Sequence, residues 1–294
     1  MSDMMYGQII AHSGEADDIG ETVTFTDESG TALTGVIGAD GYCRKKLAAF
    51  KSYIVTFGAF TSDAIHLGCG ENHFVECGLT TDNWAGIKRI VDAGKASEYI
   101  TNGDRFTVEL SNNEILVFEA NVNTYGLGEV DFIPTYCLAT GRGMNSSNTN
   151  AGGWNGCNMR SYLNTTVLQM LPPDLQDVIS EKENKITQGS QSNVLITSMD
   201  KIWLPAEFEI FGVRSYSGSA EDDVHRQYPI FTDASSRART LGANGAATSW
   251  WEASPYISTS TTFCTVGTGG AAGGNDASSA IGVLPCFRIA PAGA

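Results

Sequence analysis

Residues 250–289 read "WWEASPYISTSTTFCTVGTGGAAGGNDASSAIGVLPCFRI". The stretch opens on two tryptophans and closes on an apolar run, and Gly, Ala, Ser and Thr fill its middle. By composition that middle is a flexible linker. A linker joins two bodies, however, and only one short strand pattern, "VLPCFRI", follows it. "GTGGAAGG" at 267–274 lacks the Gly-Lys-Ser/Thr ending of a phosphate loop, and no helical pattern follows it. Trp250 and Trp251 read as core anchors. Phe263, Cys264, Val266 and Val283 recur as apolar or small points between them and the final strand. The stretch is therefore expected to be an ordered loop-and-strand surface fastened to a core.

Working outward, "DNWAGIKRIVDAG" (82–94) places Trp84, Ile87, Ile90 and Val91 at helical spacing, with Asp82 as N-cap and Gly94 at the stop. "RFTVEL" and "EILVFEA" read as strands joined through Asn112-Asn113. "GCNMRSYLNTTVLQML" returns to helical spacing, and "PPDLQDVIS" starts a helix with proline in its first turn. "NVLIT" and "DKIWLP" read as strands. Residues 81–294 thus form an α+β domain with few helices and long polar loops, notably 140–153 and 257–282. Residues 1–80 differ. Val23, Phe25 and Leu33, then Tyr53, Val55 and Phe57, alternate with polar residues between turn signals at 28–30 and 39–41, which predicts a small all-β sandwich ending in "HFVECGL".

The 294 residues carry a net charge of −15, with no basic run. Such a surface repels phosphate backbones and anionic lipid, so no nucleic-acid partner is expected. No apolar run approaches the ~20 residues of a membrane-spanning helix, and the N-terminus lacks a secretory pattern. Seven scattered cysteines suit small buried thiols in a protein made in the cytoplasm.

Three clusters invite a chemical reading. His66, Cys69, His73 and Cys77 are four N/S groups within twelve residues, but their spacing is that of no zinc finger, and packing of a small sandwich explains them as well. His225 follows Glu221-Asp222-Asp223; without a nucleophile in context, a solvated acidic turn is the simpler account. Cys264 and Cys286 fit no CxxC motif, and core packing is expected for both. No DxDxDG calcium loop is present. No catalytic residue, no metal and no cofactor is expected.

Six blocks in order, 83–104, 136–179, 200–212, 227–231, 250–256 and 282–289, resemble DUF6273, a family of domains common in bacteria and their phages. The resemblance covers roughly residues 81–290. It implies a C-type-lectin-like fold of the formylglycine-generating-enzyme type, and the N-terminal module resembles the carboxypeptidase-regulatory-like or Ig-like sandwiches that precede such domains. Two blocks depart from the family pattern. Glu252-Ala253 stands where many relatives have an arginine, and Leu284-Pro285-Cys286 stands in a GVRPAF-like ending.

The resemblance further implies a C-terminal block diversified by a retroelement that varies Asn codons at their adenines. Such positions never become Lys, Glu, Gln, Met or Trp. These types make up 42 of the 294 residues, yet none occurs in 253–284. The implied scaffold is Trp250, Trp251, Ser254, Pro255, Tyr256, Phe263, Cys264, Val266, Ala277, Ser278, Gly282 and Val283. The implied ligand-binding, variable positions are Ile257, Thr259, Thr261, Thr262, Thr265, Gly267, Thr268, Gly269, Ala271, Gly273, Gly274, Asn275, Asp276, Ser279, Ala280 and Ile281. The expected function is that of a phage or prophage tail-tip or fibre adhesin, made in the bacterial cytoplasm and acting from the virion at the host cell surface. Its expected partners are a glycan or protein receptor and, through the N-terminal module, other tail proteins, with assembly as a homo-oligomer such as a trimer. The alternatives are a formylglycine-generating-type oxidase and a structural virion decoration protein.

Overall fold

The computed structural model describes residues 5–58 and 60–293. The chain divides into two compact units, Met1–Ile90 and Val91–Ala294.

In the first unit, strand Tyr6–His12 lies between Tyr42–Ala48, antiparallel, and Asn72–Glu76, parallel. A second sheet orders Ala32–Val36, Thr22–Asp27, Lys51–Phe57 and Phe60–Thr61, with Ile65–Leu67 also pairing Lys51–Phe57. Ile9, Ala11, Val23, Phe25, Tyr53 and Val55 from both sheets are buried in one core. The alternation that predicts these strands holds because each sheet buries one face. Leu33 departs from it and is exposed, because its strand is an edge paired only with Thr22–Asp27. The turn at 28–30 closes on the Asp27 carboxylate, which accepts from the Ser29 and Thr31 amides at 2.9 and 3.0 Å.

His66, Cys69, His73 and Cys77 are not gathered into one ligand set. Cys69 is exposed in a turn, Cys77 is buried, and His73 instead faces Glu71 at 3.4 Å. Helix Trp84–Asp92 is capped by Asn83 rather than Asp82, since Asn83 Oδ1 accepts from the Gly86 amide at 2.7 Å. It stops at Gly94, whose φ of 72° only glycine adopts freely.

The second unit is α+β and dominated by strands. Its main sheet orders Ile202–Trp203, Cys286–Ile289, Val130–Pro134, Ile115–Val122 and Arg105–Glu109. Phe132 stacks on Phe287 at 4.8 Å, and Phe118 meets Phe287 edge-on at 4.9 Å. One buried ion cluster is set into this apolar sheet: Arg288 forks onto Asp131 at 2.7 and 2.8 Å and reaches Glu129 at 2.8 Å. A hairpin of Lys182–Gly189 and Ser192–Asp200 was only half visible in the sequence, because its first strand buries polar side chains. The helical run after residue 157 is three pieces, Asn158–Tyr162, Leu163–Val167 and Leu168–Met170, of which the middle one has the wider π geometry. No helix among the described residues is long and apolar enough to cross a membrane.

Candidate functional site

The bland stretch is a sheet. Trp250–Pro255 pairs Thr262–Val266, which in turn pairs Ala272–Asp276 in continuous register from Thr262↔Asp276 to Val266↔Ala272. The anchors point inward: Trp250, Trp251, Phe263 and Val266 are completely buried. Both indoles find backbone acceptors, Trp250 at Arg237 (2.9 Å) and Trp251 at Arg142 (2.7 Å). The linker composition thus conceals a β-hairpin with a five-residue turn.

The two long loops hold each other. Asn150 is fully buried, and its amide nitrogen donates to the carbonyls of Tyr256, Thr259 and Thr262 at 3.4, 2.9 and 2.8 Å. Its Oδ1 accepts from the Ser190 amide at 2.8 Å. Further along, the amides of Arg142 and Asn145 donate to Ile281 and Ala277, and Asn148 accepts from the Ser278 amide at 3.1 Å. The hairpin tip rests on helix Ala234–Arg237, with Arg237 Nε donating to the Gly270 carbonyl at 3.0 Å.

Beside this surface opens a polar cleft of about 490 Å³. Arg142, Asn145, Ser146, Asn158 and Tyr162 line it, and the Arg142 guanidinium lies 4.1 Å over the Tyr162 ring. A smaller hollow of about 420 Å³ shares Asn158, Ser161 and Thr165 with it. The length of the 140–153 loop marks it in the sequence, but Arg142, Asn145 and Ser146 carry no signal of their own beyond its density of Asn and Ser.

Below the hairpin lies a set of buried carboxylates. The pairing passes from Trp251↔Thr265 to Pro255↔Phe263, so three residues, 252–254, stand against the single Cys264. The bulge turns Glu252 inward, and both its oxygens are buried without a hydrogen-bond partner. Ser254 donates to Glu221 at 2.5 Å and accepts from the Glu207 amide at 3.1 Å. Glu207 accepts from the Tyr216 and Ser217 amides at 2.7–3.0 Å. One ligand atom each from Glu207, Glu252 and Cys264 lies within 4.8 Å of the others, the one such group of three among the described residues. Burial, then Glu207 and Glu221, push the Glu252 carboxyl well above its ordinary range. Burial, then Glu252, push the Cys264 thiol up likewise.

The acidic turn before His225 is solvated only in part: Asp223 is exposed and Asp222 half-buried, but Glu221 and His225 are not. Glu221 is fully buried, held by Thr187 and Ser254, and His225 is 3% exposed. Its Nε2 lies 3.1 Å from the Lys185 carbonyl and its Nδ1 3.3 Å from the Tyr125 hydroxyl. The sequence concealed this because the partners come from distant strands. Cys264 and Cys286 are both buried and free, on different sheets.

Residues 112–291 match the family described as "Domain of unknown function (DUF6273)". The chain belongs to the DUF6273 family. The DUF6273 match takes in the hairpin, the 140–153 loop and the carboxylate cluster, while the block at 83–104 lies before it. No curated protein matches the chain. Among solved structures it is similar to "The Bacillus anthracis TIE protein" at 15% identity, over 25% of this chain and 17% of that one, with a TM-score of 0.22. The matched part is thus a small fraction of that protein, and the likeness indicates no fold.

Within the DUF6273 domain the implied scaffold and variable residues separate by burial. Thr268, Gly269, Ala271, Gly274, Asp276 and Ala280 are exposed; Ile257, Thr259, Thr261, Thr262, Gly267, Gly273, Asn275, Ser279 and Ile281 are half-buried. Thr265 is the exception at 2% exposed, on a central strand paired on both sides. Among the implied scaffold, Ser254, Pro255, Cys264, Ala277, Gly282 and Val283 are buried, Tyr256 is half-buried against Tyr216, and Ser278 alone is exposed.

Space for larger side chains varies along the hairpin and does not follow that division throughout, since a Cβ on the implied variable Gly274 would lie 2.7 Å from the Tyr256 ring. A Cβ on Gly269 would meet nothing within 4 Å. One on Gly270, at φ +82°, would lie 1.8 Å from the Ala234 carbonyl oxygen. We predict that Gly269→Tyr changes stability by no more than about 0.5 kcal/mol. Gly270→Ala should cost about 2 kcal/mol or more, from strain and overpacking together. Urea midpoints of the two variants check this directly.

Proposed function

We propose that this chain is a receptor-binding adhesin of a phage or prophage tail. Its DUF6273 domain takes a C-type-lectin-like fold and presents residues 257–281 as a variable face to a glycan or protein on the host cell. The observation that carries the reading is a division of labour in one hairpin. Apolar side chains and Asn150 fasten the stretch, while Thr268, Gly269 and Ala271 at the tip are exposed and a side chain at Gly269 would meet nothing within 4 Å. A surface whose fold does not depend on its displayed residues suits recognition of changing targets. The Gly, Ala and Thr now displayed make a shallow polar face, so one copy binds weakly and several copies supply avidity. The adjoining cleft, with its arginine, amides and hydroxyls, offers the hydrogen-bonding groups that a glycan or peptide backbone takes. The first unit would attach the protein to the virion, and assembly as a trimer would supply the copies.

The test is adsorption. Particles carrying Thr268→Asp and Ala271→Asp in a stably folded protein should bind host cells at least about tenfold less when several copies act together. Soluble wild-type chain should compete with them. Unchanged adsorption by particles lacking the protein would leave it a decoration protein. A near-copy of the codons for 250–290, differing at adenines and lying beside a reverse transcriptase, would establish the diversification.

A further inference from the structure

The Glu252 carboxylate lacks what buried carboxylates ordinarily have. Glu207 and Glu221, equally buried, are held by backbone amides and hydroxyls. Glu252 is 0% exposed and neither oxygen has a partner. Protonation alone does not resolve this, because a neutral carboxyl still carries an unmet hydroxyl donor and an unmet acceptor. The groups facing it are Cys264 across the bulge, the Glu207 carboxylate and, more distantly, Glu221, which His225 influences. No lysine or arginine is among them.

We propose that Glu207, Glu252 and Cys264 form a buried site for one divalent cation of the zinc class. The donor set selects the metal. A thiolate with two carboxylates suits zinc, whereas calcium takes six to eight oxygens and magnesium keeps several waters. A tetrahedral zinc with bonds of roughly 2.0–2.3 Å sets its ligand atoms about 3.5 Å apart, so ligand atoms within 4.8 Å need close only slightly. A water completes the four-coordinate shell. Binding deprotonates Cys264 and Glu252, releasing one proton from each, and the metal supplies the positive charge that the cluster lacks. The ion fastens strands Trp250–Pro255 and Thr262–Val266 to the start of helix Glu207–Phe211, directly beneath the hairpin. This inference is independent of the adhesin reading, and either can fail while the other stands.

The sign of the pH dependence follows from the ligand chemistry, because a thiol and a carboxyl must lose their protons to bind the ion. Zinc displaces both protons, so its stabilising effect must grow with pH. The experiment is to purify the full chain, measure its metal content by mass spectrometry, and strip it by unfolding with chelator. The stripped chain is then refolded with zinc, cobalt or calcium as the sole added metal. The expected result is about one zinc per chain and a rise in Tm with zinc that is larger at pH 8 than at pH 6. Cobalt should give a near-ultraviolet thiolate charge-transfer band that is missing in Cys264→Ser, and Glu252→Gln should bring zinc content to background. If either variant fails to fold, the cobalt band and the zinc-dependent Tm of the wild type still decide. Absence of both overturns the proposal, as does stabilisation by calcium alone, or a zinc content untouched by both substitutions in folded protein.

Discussion

Asn150→Ala should destabilise the protein by about 3 kcal/mol or more and release residues 256–262 from their present course. One buried side chain closes this loop, donating to three carbonyls and accepting from the Ser190 amide. Alanine removes every one of these bonds and leaves the backbone groups in a space from which water is excluded. Each buried group so stranded costs roughly 1–3 kcal/mol, and some of them will recover by letting water in. Asn150→Asp makes the sharper comparison. It keeps the acceptor for Ser190 but turns a carboxylate toward three carbonyl oxygens, so its loss should exceed that of alanine at neutral pH. Urea denaturation measures the cost. Hydrogen exchange at Thr259 and Thr262 tells whether the loop has opened locally or the whole unit has weakened. A loss below about 1 kcal/mol for Asn150→Ala would mean that the hairpin holds the loop unaided. Because Asn150 holds the loop through backbone carbonyls, weakened receptor binding in this variant would come through loop order.

The hairpin shows which parts of this fold a sequence reveals. Phe263 and Val266 are legible because apolar residues in a run of Gly and Thr have nowhere else to go than a core. Thr265 is misleading for a related reason: alternation predicts an outward side chain only when one face of a sheet is solvated, and this strand is covered. The strand Lys182–Gly189 hides differently. Lys182, Asn184 and Thr187 are buried there because Glu209, Asp200 and Glu221 meet them, and no local pattern announces partners 16 to 34 residues away. Asn150 is the extreme case, since its partners are backbone carbonyls 106 to 112 residues on, and carbonyls have no sequence signature. The same holds for Glu252. Its isolation results from a three-against-one bulge and from what its neighbours fail to offer, and neither is written in "WWEASPY".

Arg288→Met should cost about 3–5 kcal/mol, the range for removing one partner from a buried ion pair. Arg288 lies on the strand Cys286–Ile289 and Asp131 on its neighbour Val130–Pro134, so the fork between them ties adjacent strands of the main sheet. Asp131 is 0% exposed, and without the guanidinium it keeps only the Tyr228 hydroxyl, at 3.0 Å. Glu129, whose carboxyl burial already pushes up, loses the arginine that opposes that shift. Methionine replaces the apolar stem well enough that lost packing is a minor part of the effect. The argument predicts a sign for the double variant. Asp131→Asn with Arg288→Met removes the stranded charge while keeping an acceptor for Tyr228, so it should be more stable than Arg288→Met alone. An additive pair of losses would show that each residue contributes through packing, and the fork would then be incidental to stability. Coupling of more than about 1 kcal/mol would place the arginine's contribution in neutralising Asp131. That would also explain why an apolar sheet tolerates a charge at its centre: the cost of burying the two ions is already met by their pairing, and only separating them exposes it.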